Sequence, residues 1–179
     1  MVAWRRWLIQ AVAAADNAAR TPNNTARPEF PYVIVLLGAQ GLAKTSLMYQ
    51  LLPSSMADYF TAGAHLNTND KDSILKCVGN WIVELGELDS TFRKSDISAL
   101  KAFLTNQIDE VRKPYARSAA RIQRRTCYIA TVNHENFLRD LTGSRRFWPI
   151  SLTKTIPRLP SGLSEKLWGW AWHMYMQGE

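Results

Sequence analysis

The stretch that most constrains how this chain can fold is Val33-Ile34-Val35-Leu36-Leu37-Gly38-Ala39-Gln40-Gly41-Leu42-Ala43-Lys44-Thr45. An apolar, β-branched run ends in glycine, a loop of mostly small residues follows, and Lys-Thr closes it. This is the strand–loop–helix grammar of a phosphate-binding P-loop, G-x-x-x-x-G-K-[ST]. Each residue type answers a physical need. Backbone N–H groups must close on phosphate oxygens, and the new helix must aim its positive end at the anion. The candidate nucleotide-binding residues are therefore Gly38, Ala39, Gln40, Gly41, Leu42, Ala43, Lys44, Thr45 and Ser46. Lys44 places a cation between the β- and γ-phosphates of ATP, and the Thr45 hydroxyl ligates Mg²⁺. One position departs from the motif: Ala43 stands where glycine is usual. Its methyl group disfavours positive φ, at a cost of roughly 1 kcal/mol if the loop requires that geometry.

Around this centre the sequence predicts a single domain of 179 residues, long enough for a real core. Apolar residues recur at helical spacing over 3–19, so an N-terminal helix and a proline-containing loop occupy 1–30. The nucleotide-binding core spans 31–150, and a C-terminal helical segment spans 151–179. Within the core, the helix from Lys44 stops before Pro53, residues 54–69 read as irregular with a docked Tyr59-Phe60 pair, and 70–78 read as a short helix. Strands are predicted at 81–85, 127–131 and 147–150, the last one broken by Pro149 and so an edge. Ser95 is placed as the cap of a helix whose apolar face uses Ile97, Leu100, Phe103 and Leu104. Strands alternating with helices argue for an α/β sheet covered on both faces.

Several residues carry chemistry beyond the loop. Glu84 and Glu87 follow an apolar strand, where a nucleotide hydrolase needs one acid for Mg²⁺ and one to orient the attacking water. Glu84 is favoured for the metal, beside Thr45, and Glu87 for the water, although the roles can be exchanged. Asn133 ends a later strand, where an amide can sense the γ-phosphate; taken alone it reads as a turn residue. Arg145 and Arg146 can stabilise phosphoryl-transfer charge, or form a solvated pair. With Lys44, Glu84, Glu87 and Asn133 they make up the candidate catalytic set. The balance of 22 Lys+Arg against 15 Asp+Glu gives a net charge of +7, which leans towards a polyanionic partner. The placement says more: Arg112, Lys113, Tyr115, Arg117, Arg121, Arg124 and Arg125, with Lys101 on the preceding helix, set cations around an aromatic ring. Cations follow phosphates and a ring stacks on a base, so these are the candidate DNA-binding residues, weighed against a solvated basic loop.

Other features read as structural. Trp168, Trp170, Trp172 and Tyr175 have the look of core packing, and His65, His134 and His173 show no metal-ligand spacing. Cys77 and Cys127 sit in apolar runs as core thiols. No apolar run reaches membrane-spanning length, and the first helix is amphipathic and unlike a signal peptide, so the expectation is a cytoplasmic protein without a membrane partner.

The order of motifs resembles the virulence-associated protein E family. The resemblance rests on the glycine loop with Lys44-Thr45, then Trp81-Ile82-Val83-Glu84-Leu85-Gly86-Glu87-Leu88, Leu100-Lys101-Ala102-Phe103-Leu104 and Arg112-x-Pro114-Tyr115-x-Arg117. Thr131-x-Asn133 and Thr142-Gly143-Ser144-Arg145-Arg146-Phe147-Trp148-Pro149 complete it, so that it spans nearly the whole chain. Members are encoded mostly by prophages, pathogenicity islands and plasmids, often fused to a primase domain, which makes a primase domain or protein an implied partner. Their core is similar to superfamily three helicases, AAA+-like ATPases that work as hexameric rings on DNA. The resemblance implies a P-loop NTPase core of AAA+-like, superfamily three helicase type with flanking helices. It further implies single- or double-stranded DNA as partner and a homo-oligomeric ring with ATP at a subunit interface. Residues 109–125 match the DNA-contacting hairpin of that scheme, and Arg145 and Arg146 match its arginine-finger position. The family usually has glycine at the place of Ala43.

The reading is thus an ATP- and Mg²⁺-dependent helicase or translocase acting in replication of a prophage or mobile element. Its rival is a catalytically weak P-loop module that binds DNA or a partner protein, which Ala43 favours. A small-molecule kinase is a third option, without any acceptor-binding motif to support it. DNA-stimulated phosphate release separates the first two.

Overall fold

The structure, a computed structural model, describes residues 2–20, 29–86, 94–112, 117–133 and 145–178; the side chains of 18–20 and 94–97 are outside that description. Its centre is β1 (Val33–Leu37), buried along its whole length. Val33, Val35 and Leu37 enter one hydrophobic cluster, and Ile34 and Leu36 enter another on the opposite face. A strand buried on both faces has no polar alternation, which is why this segment reads as a continuous apolar run.

Five strands form one parallel sheet in the order β2-β3-β6-β1-β7: β2 (Phe60–Ala64), β3 (Ile82–Leu85), β6 (Cys127–Val132), β1 and β7 (Phe147–Ser151). The Pro149-containing strand lies at one edge, where its missing N–H costs no ladder bond. One face is covered by α3 (Lys71–Val78) and α4 (Lys94–Leu104), the other by α1 (Val2–Arg20), α2 (Lys44–Leu51) and α5 (Leu163–Met176). Asp70 caps α3, its carboxylate accepting from the Asp72 N–H at 3.1 Å. The extended Leu52 before Pro53 ends α2. The described part of helix α4 runs Lys94–Leu104, so Ser95 lies within the helix and is not its cap.

One region differs from the sequence-based expectation, and another takes the hairpin form that the resemblance implies. Residues 54–64 are not irregular, though 65–69 are: a 3₁₀ helix (Ser54–Tyr59) leads into edge strand β2, and only Phe60 of the aromatic pair is buried, Tyr59 being exposed. The strand escapes notice because Phe-Thr-Ala-Gly-Ala is short and poor in β-branched residues. The basic stretch is also ordered in part. Strands β4 (Ile108–Val111) and β5 (Ala120–Gln123) pair as an antiparallel ribbon outside the main sheet.

Two indoles fasten the helical layer to the rest, and a third ties α5 to α2 within it. The Trp7 N–H donates to the Tyr128 carbonyl at 2.8 Å, Trp81 to that of Ala11 at 2.8 Å, and Trp168 to that of Leu51 at 2.7 Å. Each buries a large apolar body and satisfies its polar tip. Burial pushes the Cys77 thiol up to about 11 and Cys127 to about 12, so both are core thiols without thiolate reactivity at neutral pH. Trp7 is 1% exposed, and replacing it with alanine is expected to cost about 3–5 kcal/mol of unfolding free energy in a denaturant titration.

Candidate functional site

Three parallel strands, β1, β3 and β6, deliver their C-terminal ends to one place. After Leu37 the chain turns through Gly38, whose N–H donates to the Val132 carbonyl at 3.2 Å. At φ 151° a side chain here is disfavoured, and a Cβ would meet the Leu152 carbonyl oxygen and the Leu42 Cδ1, both at 2.8 Å. Gly38 is therefore fixed by conformation and by space together. The loop continues through Gly41 at φ 86° to Ala43 at φ 61°, ψ 32°, the only non-glycine residue with positive φ among the described residues. The left-handed geometry that the motif normally assigns to glycine is thus present, and alanine bears its strain, roughly 1–2 kcal/mol.

Lys44 opens α2 and is 8% exposed. Its ammonium donates to the carbonyls of Gly38 at 2.5 Å and Ala39 at 2.9 Å, and to Asn133 Oδ1 at 3.0 Å. The next residue, Thr45, donates its hydroxyl to Glu84 Oε1 at 2.7 Å, and the second oxygen of this buried carboxylate accepts from the Gly63 N–H at 3.3 Å. Lys44, Thr45, Glu84 and Asn133, spread over 89 positions of sequence, form one connected group. Glu87 lies outside the described residues.

Gly63 is a contact that sequence reasoning missed. It sits at φ 59° where the register between β2 and β3 shifts, and a Cβ on Gly86 would come within 3.2 Å of the Gly63 Cα. Two glycines let the edge strand approach closely enough to offer its amide to Glu84, and no local pattern announces this. The loop is also braced from outside. The Leu152 N–H donates to the Leu37 carbonyl at 2.7 Å, that of Ile156 to Leu42 at 3.2 Å, and that of Leu159 to Gln50 Oε1 at 2.7 Å.

The two arginines lie at the other end of the sheet. The Arg146 carbonyl accepts from the Val33 N–H at 2.8 Å, at the start of β1, whereas Lys44 follows its end. Five strand residues separate those ends by roughly 15 Å. Arg145 is exposed and lines a cleft with Arg5 and Arg6, while Arg146 is half-buried with its Nε enclosed.

The basic residues separate into distinct environments. Arg112 and Arg117 are exposed and Lys101 is half-buried, while Lys113 and Tyr115 lie outside the described residues. Arg121 pairs with Glu110 across the β4–β5 ribbon at 3.0 Å, both well exposed, a contact of little energetic weight. Arg124 corrects the expectation: it is 2% exposed and cannot touch DNA. Its guanidinium makes a bidentate pair with buried Asp109, donates to the Phe103 carbonyl at 3.2 Å, and lies over the rings of Phe103 and Tyr128 at 4.6 and 5.6 Å. Burial lowers its pKa, but Tyr128 and Asp109 outweigh this and hold it above the ordinary value. Spacing alone cannot separate such an anchor from its solvated neighbours. Arg125 faces a separate cleft.

Among the described residues, no helix is long and apolar enough to cross a membrane, and no group of three or more His, Cys, Asp and Glu could hold a metal.

With this geometry in hand, comparison with known proteins finds a family model, the virulence-associated protein E-like domain, that matches residues 2–179. Among solved structures the chain is similar to the apo structure of the NrS-1 C terminal region (305–718). The TM-score is 0.57 and the identity 17%, over 94% of this chain and 40% of that one. An A form apo structure of the same region gives a TM-score of 0.54 at 16% identity, over 94% and 39%. The chain spans about 40% of the length of the first of these structures, and at such identities the likeness is one of fold. No curated protein matches.

Two outcomes test the site. Ala43→Gly is expected to raise stability by up to about 1 kcal/mol, strain relief being partly offset by the freer unfolded chain; a thermal melt reads it. Asp109→Ala leaves a buried guanidinium without its carboxylate and is expected to cost about 3–5 kcal/mol, whereas replacing both partners by apolar residues of similar volume costs much less.

Proposed function

The chain belongs to the virulence-associated protein E-like domain family, and on that premise we propose that it is a P-loop ATPase of the helicase type, acting on DNA in the replication of a mobile genetic element. The observation that carries the reading is the convergence of Lys44, Thr45, Glu84 and Asn133 at the ends of three parallel strands. In this reading the 38–43 loop and the start of α2 cradle the phosphates of ATP. Lys44, now held by loop carbonyls and Asn133, turns its ammonium to the β- and γ-oxygens. Asn133 then stands beside the γ-phosphate and reports its presence.

The Thr45 hydroxyl and the Glu84 carboxylate, 2.7 Å apart, are hard oxygen donors of the kind Mg²⁺ takes alongside phosphate and water. The bound ion would neutralise charge on the phosphates during transfer. Glu87 is the residue proposed to orient the attacking water.

Arg145 and Arg146 cannot serve their own nucleotide from the far end of β1. This supports a site completed in trans within a homo-oligomeric ring, and the exposed Arg145 is the better placed of the two. Arg112, Arg117 and Arg121, on or beside the β4–β5 ribbon, are proposed to contact the DNA backbone. The left-handed Ala43 favours a second reading, a module that binds nucleotide and DNA but turns over slowly.

Phosphate release measured with Mg²⁺, with and without single-stranded DNA, decides between them. Turnover is expected to rise with DNA and with protein concentration, and to fall at least about 100-fold in Lys44→Ala. Lys44→Ala and Arg145→Ala, each inactive alone, are expected to restore turnover when mixed, because one supplies the arginine and the other the loop. Binding of ATP and DNA without release would leave the module reading standing.

A further inference from the structure

We propose that a cleft at the N-terminal ends of β2, β3 and β6 is a nucleobase site, taking one base of a single-stranded nucleic acid whose backbone runs along the β4–β5 ribbon. This rests on the nucleic-acid reading above and adds a contact outside the ribbon. The cleft measures about 440 Å³ and is lined by Tyr59, Trp81, Asn80, Asp58 and Arg125 among others, a volume in the range of small-ligand pockets.

Its walls are preformed. The Trp81 N–H is held by the Ala11 carbonyl at 2.8 Å, and its ring rests against Trp168 with centroids 4.7 Å apart. The Asn80 side-chain amide donates to the Thr61 hydroxyl at 2.5 Å, and the Asn80 main-chain carbonyl accepts from the Thr126 hydroxyl at 2.6 Å. Tyr59, at the end of the 3₁₀ turn, leaves 55% of its surface in solvent. Exposed aromatic surface beside a guanidinium is the combination that stacks a base and pairs its phosphate. The Asp58 carboxylate argues against a polyphosphate in the cleft and suits the amino edge of a base.

Continuity with the ribbon argues for a strand over a free nucleotide. Arg125 follows Arg124, which the Asp109 pair locks to β4, and the Arg124 N–H donates to the Gln107 carbonyl at the ribbon's root at 2.9 Å. Two residues after Arg125, the Cys127 N–H donates to the carbonyl of Trp81, a wall of the cleft, at 2.8 Å. Ribbon root and cleft therefore share one short piece of backbone at the same end of the sheet.

The test is the binding of fluorescently labelled single-stranded oligonucleotides to the full chain across a salt series, in the absence of ATP. Tyr59→Ala and Arg125→Gln are each expected to weaken binding about tenfold. Tyr59→Phe should stay within about twofold of wild type, because the ring is retained. Arg125→Gln should also reduce the log–log salt slope by about 0.7, the share of one phosphate contact on a single strand. A 2-aminopurine in the oligonucleotide should be quenched by wild type and not by Tyr59→Ala. If wild type binds and both variants match it in affinity, slope and quenching, the cleft is not a base site, while the nucleic-acid reading survives. Displacement of the quenched signal by a free mononucleotide at unchanged oligonucleotide affinity would overturn the strand in favour of a small ligand. If wild type binds no oligonucleotide, both readings fall. Should Tyr59→Ala not fold, the exposed Arg125→Gln carries the decision alone.

Discussion

A buried ammonium holds the centre of this structure together. Lys44 joins the end of the central strand to the end of its neighbour, donating to two loop carbonyls and to Asn133. Its position follows from the loop, and the loop follows from Gly38, which no larger residue could replace without striking Leu152. One residue on, Thr45 ties the same helix to Glu84 on the third strand. A charge and a hydroxyl thus add directional ties between three strands whose register the parallel ladders already set. Packing is roughly indifferent to a small slide along a strand. Directional bonds to charged groups are not.

A second buried charge organises the opposite side. The Arg124–Asp109 pair is removed from water, and pairs of this kind seldom add net stability over apolar residues of the same volume. What the pair does supply is geometry. Two parallel N–H bonds, a third to the Phe103 carbonyl and two ring faces leave the guanidinium one orientation. The β4–β5 ribbon is thereby fixed against the sheet, and its exposed arginines gain a rigid base.

Much of this was legible in the sequence, and the parts that were not share a cause. The strand, loop and helix around Lys44 could be read because apolar run, glycine and Lys-Thr lie together within a few residues. The alternating layers could be read because helical periodicity and unbroken apolar strands are local patterns. The edge strand Phe60–Ala64 was lost because its residues have weak β preference and its place is set by β3 and the Glu84 carboxylate, not by itself. Arg124 was misplaced among the solvated arginines because Asp109, its partner, sits 15 positions away. Gly63 and the brace from 152 to 159 are tertiary contacts with no periodicity behind them. In each case the deciding partner is distant in sequence, and only the folded chain brings it near.

That brace joins the 38–43 loop to the segment leading into the last helix. With Ile156 bonded to Leu42 in the loop and Leu159 bonded to Gln50 near the end of α2, the loop and its helix are tied to the same segment. Any rearrangement of the 38–43 backbone must stretch or carry the strand of chain beside it, and Trp168 passes the load to the Leu51 carbonyl at the end of α2. The helix that starts at this loop and the last described helix are therefore geared together. A length change between 152 and 159 would act on the 38–43 loop as surely as a substitution within it.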